Sequence, residues 1–406
     1  MTPELEKLLS PARLGGLELR NRVIKTATFE GMTREGIPTR ALMAFHAAMA
    51  EGGVALTTVG QCNVSADARN LDNQMYFHSA IRPQLRDLTS AVHEAGAKVS
   101  AQLTHCGFFK QNKPIESPHA LAPSFHFNKL GAPYGRPFAY PMSRRDIAKV
   151  ADDYVRTAEM ACEVGFDAVE LLMGHGYLLS QFISANINKR SDEYGGSLAN
   201  RMRLPMQIVE RIHAALGRDF PVLAKINLDD ACRGGIRIDD AVEVAKWLEQ
   251  AGIDGIVTTA GRSPGNTAFM FRGDTPMPAM IRLQTNPLSK VFLKLFGRFQ
   301  YVPLPYEEMY LLDMARRIRA AVECAVIYLG GVSTVASLEA AMREGFDFVA
   351  MGRALIKDPQ MVNRLRRGGG SYRNGCTHCN QCVALIYSPT GVHCVLSGNK
   401  KRSIAE

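Results

Sequence analysis

A single α/β domain, a (β/α)8 barrel of parallel strands, is the fold the sequence predicts, and two observations predict it. The first is a recurring unit: an amphipathic helical stretch ends at Gly, passes a small or acidic residue and enters a short apolar run. It occurs as "EAGAKVSAQL" (94–103), "EVGFDAVELL" (163–172), "QAGIDGIVTT" (250–259) and "REGFDFVAMG" (343–352), with "AEGGVALTTV" (50–59) a looser copy. Gly closes a helix at its C-terminal cap, and an unbroken apolar run suits a strand buried on both faces. The second is the count. With "RVIKTAT" (22–28), "PVLAKIN" (221–227) and "CAVIYLGG" (324–331) there are eight runs in chain order, the number that closes a TIM barrel. A doubly wound sheet uses the same units, but no G-x-G-x-x-G follows the first run.

Taken in order, the first two runs are short and separated by one helical stretch, and the third opens into an insertion, residues 104–143, rich in Pro and aromatics. The fourth and fifth follow in regular rhythm. After the sixth comes a second insertion, residues 261–305, containing "LSKVFLKLFGRF", where Leu288, Phe292, Leu295 and Phe299 share one helical face and Lys290, Lys294 and Arg298 another. Insertions of this length are usually lids or binding loops, and both leave the C-terminal ends of strands, where barrel active sites lie. The apolar face is expected to cover the barrel mouth or a subunit interface in a homo-oligomer. Residues 1–360 then form the barrel, and 361–406 a Cys-rich extension packed on it.

Composition excludes several classes. With 46% apolar and 21% charged residues in 406, the chain has ordinary globular composition. Nine cysteines is an odd number, no apolar h-region follows "MTPELEKLL", and no apolar run approaches membrane-spanning length. A reducing, cytoplasmic setting without membrane is expected. The charge of +9 is spread along the chain, with small clusters at "RLRR" (364–367) and "KKR" (400–402) and no basic stripe interleaved with aromatics. That points to an anionic small molecule rather than nucleic acid. In "NGCTHCNQC" (374–382) and at Cys394, four thiols fall close together, a spacing open to a metal or cluster site, a redox pair or buried core. Cys106, Cys162 and Cys324 are expected to be core.

The string "GHGYLLSQFISANINKRSDEYGGSLANRMR" (174–203), with "LRNRV" (19–23), "AQLTHCG" (101–107), "YLGG" (328–331) and "GFDFVAMGRALIKDP" (345–359), resembles the old yellow enzyme family of FMN-dependent NAD(P)H:flavin oxidoreductases. The resemblance is nearest to the branch containing 2,4-dienoyl-CoA reductase and trimethylamine dehydrogenase. It implies FMN at the barrel mouth and NAD(P)H as reductant. Gly330, Gly331, Gly352 and Arg353 end the last two strands, where barrels build phosphate sites from close backbone approach and added positive charge. Gln102 is implied at the flavin pyrimidine and Lys225 near N1 and O2, where most relatives carry Arg; pairing of Lys225 with a core acid is the alternative. Thr26, Ala27, Thr28 and Gly60 would line the flavin.

By the same resemblance, Tyr177 is the proton donor and His175 one of two residues clamping a substrate carbonyl, so the implied reaction reduces the activated C=C bond of an α,β-unsaturated carbonyl compound. The other clamp position holds Leu172, with His105 a candidate replacement. Phe29 stands where the amine dehydrogenase attaches its flavin through cysteine, so no covalent flavin is expected. Asp192, Tyr194, Arg201 and Arg203 are expected to cap the fourth helix and form buried polar pairs. Cys376, Cys379, Cys382 and Cys394 match the branch's [4Fe-4S] ligands, with zinc as the alternative. A cluster would imply an FMN/[4Fe-4S] dehydrogenase or dienoyl-type reductase exchanging electrons with a separate partner protein, since no FAD or NAD domain follows in the sequence.

Overall fold

In a computed structural model that describes residues 1–112, 116–117, 119–263, 265 and 267–397, eight strands close a parallel barrel. They are β1 Val23–Lys25, β2 Leu56–Asn63, β3 Lys98–Thr104, β4 Ala168–Met173, β5 Val222–Asn227, β6 Gly255–Thr259, β7 Ala325–Tyr328 and β8 Phe348–Met351. Each expected run supplies one strand. Helices between them carry local start signals: the Ser143 side chain accepts from Asp146 N at the head of Arg144–Glu163, and Ser197 does the same for Leu198–Leu216 through Asn200 N. The basic "KKR" cluster lies outside the described residues.

Alternate residues of a strand share a face. At the bottom of the barrel the inward positions are apolar: Ile24, Leu56, Leu223, Val257, Ile327 and Phe348 form one cluster with Leu14 and Leu19. Those two leucines belong to an antiparallel hairpin, Ala12–Leu14 with Leu17–Leu19, so the hairpin plugs the N-terminal end. Two residues above Leu223 the inward position of β5 is Lys225, and β3 and β4 supply Gln102 and Glu170 beside it in place of hydrocarbon. The barrel is oil below and charge above.

The first run is only partly strand. After Lys25, Thr26 N still bonds Met351 O at 3.0 Å, and residues 26–28 then cross the mouth toward β2. A Cβ on Gly60 would lie 1.9 Å from Thr28 O, so only Gly admits the crossing. Just beyond, β2 breaks register between Val59 and Cys62, and Gln61 takes a φ of 53°.

The insertions are more ordered than loops. Residues 104–143 hold a small sheet, Phe138–Pro141 pairing with Ala120–Ala122 and His126–Phe127. The second insertion contains helices Met277–Leu283 and Pro287–Gln300. The second helix does reach the barrel mouth, but of its apolar four only Phe292 lines the cavity. Ser289, Leu293 and Gly297 face inward, because a Cβ on Gly297 would stand 2.9 Å from Met277 Sδ and the helices approach through that gap. Leu288, Leu295 and Phe299 are exposed. Among the described residues, no helix is long and apolar enough to cross a membrane.

The motif residues 192–203 also differ from expectation. Ser197 is the cap; Arg201 and Arg203 donate to the carbonyls of Gly196 and Glu193, and Asp192 pairs with Arg190 at 2.5 Å. Cys162 is exposed and Cys324 only partly buried, whereas Cys106 is core. The C-terminal extension packs on the barrel through Asn374 Nδ2 to Ala354 O at 3.0 Å and Val392 N to Glu30 O at 2.8 Å.

Candidate active site

A cavity of about 390 Å³ opens at the C-terminal mouth of the barrel, within the range of small-molecule and cofactor sites. Its floor is a polar cluster. Lys225 Nζ lies 2.8 Å from Glu170 Oε1 and donates to Thr26 Oγ1 at 2.9 Å, while Gln102 Nε2 donates to the same Glu170 oxygen at 2.6 Å. Lys225 is therefore both on the cavity wall and paired with a core acid, which corrects the expectation of a lysine facing the mouth alone. A second buried pair, Lys25 with Glu30 at 2.5 Å, lies on the outer face of β1 over the Phe45 ring, joined by Thr28 Oγ1 donating to Glu30 at 2.7 Å. Burial pushes the Lys25 ammonium down against the upward pull of Glu30.

Tyr177, at the N-cap of the short helix Leu178–Ile183, reaches the wall with its ring edge-on to Phe109. Its hydroxyl accepts from Gln61 Nε2. The direction of that bond follows from its neighbours. Gln74 Oε1 accepts from the backbone N–H groups of Asn70 at 2.6 Å and Leu71 at 3.1 Å, so Gln74 presents Nε2 to Gln61 Oε1, and Gln61 has only Nε2 left for Tyr177. The tyrosine proton is free to point elsewhere. Burial raises the Tyr177 hydroxyl above its ordinary range.

His175 sits on the wall with a φ of 58°, its N–H bound to Asn227 Oδ1 at 3.0 Å and its Nε2 2.6 Å from Thr259 Oγ1. Burial, reinforced by Lys225, pushes its imidazole down to about 3, so it is neutral at pH 7. Leu172 is also on the wall, packed beside Tyr177. His105 is not; its Nδ1 accepts from Gly107 N at 3.0 Å, away from the cavity, and it cannot replace the missing clamp. Phe29 lines the cavity, with no cysteine at that position.

At the opposite end, Gly331, Gly352 and Arg353 are on the wall, and a Cβ on Gly352 would stand 3.4 Å from Thr26 and 3.6 Å from Thr28. Thr26, Ala27 and Thr28 line the space between this end and the floor. Gly60 and Gly330 lie off the wall. Gly60 sits behind Thr28, and a Cβ on Gly330 would press on Leu311 at 2.8 Å. The Arg353 guanidinium donates to Arg272 O at 2.7 Å and to Asn380 Oδ1 at 2.5 Å.

Asn380 belongs to the cysteine segment, and that segment forms a second, smaller site. Cys376, Cys379, Cys382 and Cys394 line one cavity of about 20 Å³. Burial pushes the Cys382 thiol up to about 11, Arg353 opposes, and the three facing thiols add to the rise. Arg353, Ile356, His378, Asn380 and Cys382 line both cavities, so one wall separates the nest from the mouth. Among the described residues no three His, Cys, Asp or Glu groups stand at metal-holding spacing. The donors have the chemistry of a cluster or zinc site and not its spacing, so no step is derived through a metal.

Contributors missed in the sequence include Glu170, Gln61, Gln74, Asn227 and Thr259. Glu170 had a signal, a lone acid inside the apolar run "AVELLM". Gln61 and Thr259 had none, since neither position departs from its local pattern.

A parallel barrel with a wide cavity at its C-terminal mouth, a buried amide and cation at one end and an arginine beside glycines at the other defines a flavin-type oxidoreductase barrel. The chain belongs to the NADH:flavin oxidoreductase / NADH oxidase family, which residues 7–262 match. It is 39% identical over 399 residues to the 4,4'-dithiodibutanoate disulfide reductase of Rhodococcus erythropolis, covering 97% of this chain and 96% of that protein. It is 30% identical to a metal reductase of Desulforamulus reducens, across 97% of this chain and 54% of the relative. The histamine dehydrogenase of Rhizobium sp. 4-9 has the same fold, with TM-score 0.79 at 21% identity over 94% of this chain and 51% of its own. The chain thus spans nearly all of the first relative and about half of the other two. It is an FMN-dependent oxidoreductase of old yellow enzyme type.

The wall residues fit that cofactor. Gln102 carries an amide for the pyrimidine edge, Lys225 a buried cation beside it, and Gly352 and Arg353 stand where a phosphate would be held.

Proposed function

We propose that the protein is an NAD(P)H-driven ene-reductase in which Tyr177 supplies the proton that accompanies reduction of the activated C=C bond of an α,β-unsaturated carbonyl compound. Bound FMN would carry hydride from NAD(P)H to the alkene. The protein's own part is positioning and proton delivery. One observation carries the reading: the relay from Gln74 through Gln61 leaves the Tyr177 O–H free, because Gln61 donates to the phenol oxygen instead of accepting from it. An oxygen that already accepts a hydrogen bond is a better acid. Neutral His175, if it accepts from the Thr259 hydroxyl at Nε2, keeps Nδ1–H to polarise a carbonyl.

Stopped-flow measurement on FMN-loaded Tyr177→Phe tests this. Flavin reduction by NAD(P)H should match wild type, and reoxidation by an enone should slow by about 10²–10⁴-fold. Unchanged reoxidation for every accepted alkene would overturn the assignment.

A disulfide substrate is the second reading, favoured by the 39% identity over nearly the whole of the disulfide reductase. Leu172 favours it too, since a disulfide has no carbonyl needing two clamps. Hydride then adds to one sulfur, the S–S bond breaks, and the departing thiolate takes the Tyr177 proton. Comparing kcat/KM for 4,4'-dithiodibutanoate and for an enone separates the two. The cysteine nest beside the mouth supports a further variant, an FMN/[4Fe-4S] enzyme exchanging electrons with a partner protein. Iron and sulfide analysis of anaerobically purified protein decides it; near four irons per chain would favour that variant.

A further inference from the structure

We propose that the mouth end of the barrel docks on an anionic lipid surface through its two insertions. The inference is independent of which substrate the enzyme reduces. Helix Pro287–Gln300 presents outward a stripe in which Leu288 is 65%, Leu295 59% and Phe299 66% exposed. The small sheet of the other insertion presents Phe125 at 57% and Phe127 at 55%, with Phe138 stacked on the first at 5.5 Å and edge-on to the second at 6.0 Å. The insertions touch where Tyr134 Oη donates to Gln284 at 3.1 Å, so both patches belong to one end of the molecule. Exposed apolar area on this scale marks an interaction site.

Charge identifies the occupant. No acidic residue occurs between Asp274 and Glu307, a span carrying Arg282, Lys290, Lys294 and Arg298. None occurs between Glu116 and Asp146 either, where Arg136 and Arg145 lie, along with Lys129 on the cavity wall and Arg144, which pairs with Glu193 at 2.8 Å. A second copy of the same predominantly basic face would bring like charges together, whereas anionic headgroups would neutralise them. Aromatic and aliphatic side chains edged by Lys and Arg, on a helix that spans nothing, are the make-up of an element lying in the headgroup layer. The inner side of the helix lines the cavity through Ser289 and Leu293, so the docked face would be the roof of the active site. Apolar substrates dissolved in lipid would then reach the mouth directly.

Vesicle co-sedimentation of the FMN-loaded full chain tests the proposal. Protein should pellet with phosphatidylcholine/phosphatidylglycerol vesicles at low salt, and much less with phosphatidylcholine alone or at high salt. Leu295→Glu with Phe299→Glu should weaken binding by about tenfold or more, and Lys294→Gln by about fivefold, with flavin content and turnover of a water-soluble substrate unchanged. Absence of pelleting with the anionic vesicles overturns it. So does a wild-type dimer in analytical ultracentrifugation that the Leu295→Glu, Phe299→Glu protein cannot form, which would assign the face to a second copy.

Discussion

The floor of the cavity and the cysteine nest share a wall, yet they are built on opposite plans. On the floor and behind it each of these buried charges has a protein partner: Lys225 with Glu170, the Gln102 amide on the same Glu170 oxygen, and Lys25 with Glu30 on the far side of β1. In the nest four thiols face one another across a small void, and their proximity raises the Cys382 thiol further. A floor that satisfies itself is rigid before any ligand arrives, which is what orienting a flavin requires. Among the described residues the nest has no such charge pairs, and its thiols do not stand at metal-holding spacing. One region is complete as folded, and the other would have to rearrange to ligate a metal or cluster.

Breaking the floor should therefore have the largest effect. Glu170→Ala leaves Lys225 buried with only Thr26 as partner, and removing one member of a buried pair typically destabilises by about 3–5 kcal/mol. Denaturant unfolding reads it; a loss below about 1 kcal/mol would mean that water enters the floor and the charges are not confined. Next in size is a pH effect. Burial pushes His105 down to about 3, against about 6.5 when unfolded, and its Nδ1 must stay unprotonated to accept from Gly107. The unfolded chain therefore takes up the proton first, so this stabilisation is complete above pH 6.5 and lost as pH falls toward 3. Between pH 7 and pH 5 the loss is about 2 kcal/mol for this one histidine. In His105→Gln, whose amide oxygen can still accept from Gly107, the pH slope should shrink by that amount, and an unaltered slope would refute it.

The barrel was readable because its rule is local. A Gly-capped helix and a continuous apolar run announce each strand, and "EVGFDAVELL" or "REGFDFVAMG" needs no distant partner to be recognised. Site positions fixed by strand ends were equally readable, as Gln102, Lys225 and Gly352 all reach the wall. What escaped depends on contacts across the fold. Gln61 matters only because a register break and a φ of 53° swing it toward Tyr177, residues far apart in sequence. His105 looked available because it ends β3, but a bond to Gly107 two residues on turns it away. The helix at 287–300 was right in its period and does roof the mouth, but which side turns inward was not readable, since that depends on a close approach of Gly297 to Met277.

Gln61 sharpens the comparison from the catalytic side, because the floor's rigidity extends into the relay. Gln61→Leu removes the donor to the Tyr177 oxygen and leaves the phenol a weaker acid. A lost hydrogen bond of about 0.5–1.5 kcal/mol corresponds to a slowing of alkene reoxidation by up to about tenfold, with NAD(P)H reduction of the flavin unchanged. A larger solvent isotope effect on reoxidation than in wild type should accompany it. Equal slowing of both half-reactions would point to a displaced flavin rather than to the tyrosine.

The smallest effect is expected in the nest. In chelator-treated protein Cys382→Ser should change unfolding stability by less than about 1 kcal/mol, because serine is nearly isosteric with cysteine and the position borders a small void. The same substitution in anaerobically purified protein should abolish bound iron, if iron is the guest, and lower the thermal midpoint relative to wild type. The contrast between the two preparations is the measurement that matters. A loss near 3 kcal/mol in the chelator-treated protein would make the nest ordinary core, like the floor beside it. A small loss there, with a large one in the metal-bearing protein, would mean that the nest gains its stability only by binding, since ligation energy appears as folding energy. Arg353 then becomes the residue to watch, because it reaches Asn380 on the nest side and lines the mouth on the other. A guest that displaced Asn380 would act on Arg353 through that hydrogen bond, and so on the wall of the mouth.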